Sequence, residues 1–146
     1  MINTQTEIQQ NITKSIQEVI DWLEAQDDSK FEQGPPEKWD TSQHLDHLLN
    51  AAQRLTTAVR LPKMAIRWQF GKPNRASRNY EEVVARYQEK LKNIPPTVNP
   101  RGKKHLISEK AELLEKFKKQ GEKLVKGIGK WSEADLDKYL LPHPLL

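Results

Sequence analysis

The chain has 146 residues, a formal net charge of +4, 30% charged and 36% apolar residues, and no cysteine. That length fits one small domain, and the missing cysteine excludes disulfides and protein thiol nucleophiles. No run of 18 or more apolar residues occurs, and residues 1–10 lack the basic and apolar regions of a secretory signal, so the expectation is a cytoplasmic protein with no membrane span or membrane partner.

Taken in order, the first element is a helix over residues 4–26, where Ile8, Ile12, Ile16, Val19, Ile20 and Leu23 recur at helical spacing. Gly34-Pro35-Pro36 closes the segment that follows. Asp40 then opens a second helix. Its carboxylate can hold free backbone N–H groups and Gln43 can reach back, as in a capping box, ahead of Leu45, Leu48, Leu49, Ala52, Leu55 and Val59. Pro62 ends this helix near residue 60. On a wheel of 3.6 residues per turn the apolar stripe centres on Ala52, with His44 beside it and His47 beyond, next to Ala51 and Ala58.

Residues 61–78 read as irregular and basic. Arg60, Lys63, Arg67, Lys72, Arg75 and Arg78 come without an acid among them and alternate with Met64, Trp68 and Phe70. Such a mixture suits phosphate binding and base stacking. A solvated loop whose aromatics cover the bundle end is the plainer reading and the one adopted, so a nucleic-acid partner is not expected.

A third helix carries Tyr80, Val83, Val84, Tyr87 and Leu91 and stops at Pro95-Pro96. Ser108 can cap a fourth, whose stripe is Leu113, Leu114, Phe117, Gly121, Leu124, Val125 and Ile128, with Gly127 and Gly129 ending it. Its lysines alternate with Glu112, Glu115 and Glu122 at pair spacing, as on a solvent face. Ser132 with Asp135, and Trp131 stapled to Leu136, start a short final turn before Pro142. With no strand signal, the fold class is all-α, and amphipathic helices with short connections imply a bundle.

The histidines carry the only metal chemistry in view. From the residues alone, His47 at a helix edge reads as packed or hydrogen-bonded. His44, one turn earlier, could share an ion with it as an i, i+3 pair, while His143 reads as a turn residue between prolines and His105 as part of a basic loop with no partner in view. No Ser-His-Asp, Gly-rich phosphate or paired-acid signature is present, and no catalytic residue is assigned.

The stretch Trp39-Asp40-Thr41-Ser42-Gln43-His44-Leu45-Asp46-His47-Leu48-Leu49, the segment Phe70-Gly71-Lys72-Pro73-Asn74-Arg75 before the Tyr80 helix, and the terminal run from Trp131 to Leu146 with His143-Pro144-Leu145-Leu146 resemble the DinB/YfiT-like superfamily over nearly the whole chain. The resemblance implies a four-helix bundle over residues 1–146, places a metal ligand at His47 and, because the family usually has an apolar residue at the position of His44, makes His44 a packing partner of Trp39. In that family the His-Pro-Leu-Leu segment leads into a last core helix bearing a His-x-x-x-His pair. This sequence ends at Leu146, so the expectation is a domain incomplete at its C-terminus, with the final core helix absent and the metal triad unfinished. The resemblance further implies a bacterial, metal-dependent protein, with a divalent ion such as zinc or nickel, a small-molecule or thiol substrate, and thiol-dependent transferase or hydrolase chemistry. Two alternatives stand beside it: a non-catalytic helical interaction module that dimerises with itself through bared apolar stripes, and a weak nucleic-acid binder using residues 60–78.

Overall fold

The computed structural model describes residues 4–36, 38–73, 76–93 and 102–141, and every regular element among them is helical. Helix α1 (Gln5–Ala25) starts in a capping box. The Thr4 hydroxyl accepts from Glu7 N–H at 3.2 Å, and the Glu7 carboxylate accepts from Thr4 N–H at 2.7 Å. One turn, α2 (Ser29–Glu32), follows. The sequence gives no sign of α2, yet it carries Phe31 into full burial. Helix α3 (Thr41–Arg60) starts at Asp40 and stops before Pro62, as the cap and the breaker predict.

The basic segment is irregular only in part: the described residues 61–62, 71–73 and 76–78 carry no helix. Its middle folds into α4 (Lys63–Phe70), with Pro62 at the N-cap, where its missing N–H removes no helical bond. Ile66, with no exposed surface, pins α4 to the bundle, and Gly71, at φ +78°, ends it in a conformation that suits a residue without Cβ. Helix α5 (Tyr80–Lys92) is capped by Asn79 and has no fully buried residue, so it lies outside the core. A 3-10 turn (Ile107–Glu109) leads into α6 (Lys110–Ile128), and α7 (Glu133–Lys138) follows with Ser132 as its cap. Ser108 does not cap α6. It lies within the 3-10 turn, and the cap-like bond there is made instead by Glu109, whose carboxylate accepts from Leu106 N–H at 2.9 Å.

Helix α6 packs against both α3 and α1, which meet each other far less than either meets α6. One core cluster joins Ile20, Leu23 and Phe31 to Leu45, Leu49, Leu113, Leu114 and Phe117. A second, at the other end, joins Val59 and Ile66 to Leu124, Ile128 and Trp131, with Leu136 packed against it as the staple predicts. Gly121 lets α1 and α6 close in, since a Cβ there would sit 2.2 Å from Ile16 Cδ1. Gly127 does not end the helix. It lies inside α6, where a Cβ would meet Val59 Cγ2 at 2.6 Å, and α6 runs on to Ile128.

The last carbonyls of a helix have no partner within it. Here they are met from neighbouring elements. Gln9 Nε2 donates to Val125 O at 3.0 Å and Gln5 Nε2 to Ile128 O at 3.1 Å, while Trp131 Nε1 donates to Val59 O at 2.8 Å within the core. Replacing Trp131 by Phe keeps most of the apolar bulk but strands that buried carbonyl, so we expect Trp131→Phe to lower stability by about 1–3 kcal/mol in urea unfolding. An unchanged midpoint would mean that the indole N–H contributes nothing.

Candidate functional site

A connected group of polar side chains gathers at the first turns of α3. Asp40 is buried, and its Oδ1 accepts from Gln43 N–H at 2.9 Å and from Ser42 Oγ at 2.7 Å. Gln43 Oε1 accepts from Asp40 N–H at 3.1 Å, completing the capping box, and its Nε2 donates to Gly102 O at 3.1 Å. The ammonium of Lys104 faces Asp40 Oδ2 at 3.3 Å as an ion pair. Burial pushes the Asp40 carboxyl up, but the Gln43 and Ser42 hydrogen bonds and Lys104 more than offset this, so its pKa lies below the ordinary value of 3.8.

The partner of this helix start is the segment 102–106. Lys103 N–H donates to Asp46 Oδ2 at 2.9 Å and His105 N–H to Ser42 Oγ at 3.0 Å. The His105 ring lies between two acids, with Nε2 3.0 Å from Asp46 Oδ1 and Nδ1 3.1 Å from Glu109 Oε1, and its side chain is only 8% exposed. The expectation that His105 has no partner is therefore wrong. Its partners are 59 residues away on α3 and one turn ahead in the 3-10 turn, a pairing that only the folded chain creates. Burial alone would lower the pKa of His105, but hydrogen bonds to Asp46 and Glu109 and their negative charge raise it above the ordinary 6.5. Asp46 moves the opposite way: burial raises its pKa, and the bonds to His105 and Lys103 N–H bring it below 3.8.

The two histidines of α3 share one aromatic neighbour. Trp39 stands 5.1 Å from the exposed His44 ring and 5.2 Å, edge-on, from the half-buried His47 ring, measured between centroids. His44 thus packs on Trp39 as expected, and His47 lies on the α3 flank outside the stripe that faces α6. Among the described residues no three His, Asp or Glu side chains converge as a metal-ligand set. Zinc-like ions take three or four protein ligands. The described residues supply His47 as a single imidazole and do not on their own fit a complete metal centre; His143 lies outside them.

A groove of about 210 Å³ opens between α1 and α3, walled by Val19, Trp22 and Leu23 on one side and His44, Leu45 and Leu48 on the other. Along the same faces Trp22 is 55%, Leu48 39% and Leu55 47% exposed, although the apolar periodicity assigns both leucines to the packed stripe. Ile8, Ile12, Ile16 and Val19 of α1 are only half buried. Among the described residues, α6 is the main neighbour of these stripes.

The aromatics of α4 do not all cover the bundle end. Phe70 packs against the second core cluster, but Trp68 is 90% exposed and Met64 lies exposed one turn before it. The cations around them are partly engaged. Lys63 bonds to Asp135, which with Ser132 draws the Asp135 carboxyl down to about 2, and Arg78 is also engaged. On α6 the lysines behave as the spacing predicts, with Lys116 2.6 Å from Glu112 and Lys119 3.0 Å from Glu115 on the solvent face.

Asp40→Ala removes the α3 cap and the seat of Lys104, and we expect a loss of about 0.5–2 kcal/mol in urea unfolding, with no shift if the cap is idle. The acid side follows from the depressed carboxyls. A group whose folded pKa lies below its unfolded value contributes stability above the unfolded pKa and loses it as pH falls through the folded one. For Asp135 that window runs from 3.8 down to about 2, so Asp135→Asn should flatten the fall in melting temperature over that interval.

Comparison of the chain with protein-family models, curated proteins and solved structures finds no match.

Proposed function

We propose that this chain is a cytoplasmic, DinB-like helical scaffold that presents His47 as one ligand of a divalent metal, zinc or nickel, beside an apolar groove. One observation carries the reading: α1 and α3 both pack on α6 but leave between them an uncharged groove, and His47 stands half buried on the flank of α3 next to Trp39. The remaining ligands come, in this reading, from outside the described residues. The activity it implies is of the thiol-dependent transferase or hydrolase kind on a small molecule.

Elemental analysis after gel filtration, on protein expressed from its complete reading frame, tests this. We expect a stoichiometric divalent ion that is lost in His47→Ala and kept in His44→Ala. Equal metal content in wild type and His47→Ala, or none in wild type, would remove His47 from the proposal. Residues 1–146 alone should bind zinc or nickel only weakly, because one imidazole leaves the rest of the coordination sphere to water.

The exposure of Trp22, Leu48 and Leu55 also favours a second reading, a non-catalytic module in which a second copy covers the groove. Light scattering over a dilution series separates the two. A dimer that dissociates on dilution, and that Leu48→Glu converts to a folded monomer, supports self-association. A monomer at every concentration, with no dye binding to apolar surface, rules it out.

A further inference from the structure

The His105 cluster has no place in the metal reading, and its geometry points to a conformational device. Residues 102–106 carry no helix or strand, and the 3-10 turn that follows is three residues long. Side-chain bonds therefore hold this segment on α3: Gln43 Nε2 to Gly102 O, Lys103 N–H to Asp46, and His105 N–H to Ser42. It also lies very close, since a Cβ on Gly102 would stand 2.0 Å from Gln43 O. At its centre both nitrogens of one imidazole face carboxylates from two different elements. A neutral imidazole has one N–H and one lone pair, so it can satisfy only one of two acids and repels the other. Only the imidazolium donates to Asp46 and Glu109 at once.

We propose that residues 102–109 form a pH-gated strap, closed over the first turns of α3 while His105 carries two ring protons and released when one is lost. The other charged groups around the ring fit this assignment. Asp40 of α3 is occupied by Lys104, Glu32 of α2 accepts from Ile107 N–H, and Lys103, which adds positive charge near Asp46 and Glu109, belongs to the strap itself. With both ring nitrogens taken and the side chain buried, His105 is a positioning residue and not a proton shuttle to a substrate.

The sign follows from the raised pKa of His105. A group whose folded pKa exceeds its unfolded value contributes fully below the unfolded pKa, here 6.5, and loses that contribution as pH rises through the folded one. Between the two, the equilibrium constant for opening should rise by up to about tenfold per pH unit, and it should level off on either side.

Two NMR measurements on the whole chain test this: titration of the His105 ring, and hydrogen exchange of the Lys103 and His105 amides corrected for intrinsic rates. We expect His105 to titrate above 6.5 and strap protection to fall across that interval while α6 amides hold theirs. In His105→Gln, which cannot titrate, strap protection should lose its pH dependence. Glu109→Gln, a change at a partly exposed acid, should move the His105 titration downward and narrow the window, so the test survives if His105→Gln folds poorly. A wild-type His105 titrating at or below 6.5, or strap protection independent of pH, would overturn the proposal.

Discussion

The packing of α6 between α1 and α3 is the constraint on which the rest of the molecule depends. Both core clusters run through it, with Leu113, Leu114 and Phe117 at one end and Leu124 and Ile128 at the other. The close approach needs a helix without bulk at chosen points, which Gly121 provides toward Ile16 and Gly127 toward Val59. A glycine inside a helix costs about 1 kcal/mol against alanine, so its presence at these positions shows that contact outweighs propensity. The polar ends of the helices are then tied into the same arrangement. Gln5 and Gln9 of α1 hold the final carbonyls of α6, and Trp131 holds one of the last carbonyls of α3, so buried backbone finds partners across element boundaries.

The long helices were legible in the sequence because their signals are local. Asp40 with Gln43 and Ser132 with Asp135 sit three residues apart, and each makes the reciprocal cap that this spacing allows; Asn79 with Glu82 makes a third, not among the predicted caps. What escaped was decided at longer range. Helix α4 has three polar residues among its eight and packs only Ile66 and Phe70 into the core, and it forms because Ile66 finds a site beneath α3 and α6. Residues 29–32 turn helical around Phe31 for the same reason. Gly127 reads as a terminator in sequence, and only the nearness of Val59 reveals it as a contact.

The candidate site shows the same division. His44 beside Trp39 follows from the apolar residue usual at that position in the resembled family, and the structure puts the two rings 5.1 Å apart. The pairing of His105 could not be read from the sequence. Its carboxylate on α3 lies 59 residues away, and the sequence around it, Arg101-Gly102-Lys103-Lys104-His105, displays only positive charge. A basic loop drawn onto an acidic helix start is nonetheless in keeping with the charge pattern, since Asp40 and Asp46 are the acids there and Lys103 and Lys104 approach both.

The groove between α1 and α3 sets the limit on what these helices achieve by themselves. A stripe that is buried on both sides ends with its leucines covered. In α3, Leu45 and Leu49 are covered by α6 and the first core, while Leu48 and Leu55, on the flank away from α6, are not. The same holds in α1, where Ile20 and Leu23 are buried and Trp22 is not. The two uncovered flanks face one groove and carry no charged wall, a composition that suits an apolar neighbour at about 25 cal/mol for each Å² it removes from water. His44 stands in the wall of that groove, while His47, edge-on to the same Trp39, lies one turn further along α3 and outside the lining, so a neighbour seated in the groove meets His44 first.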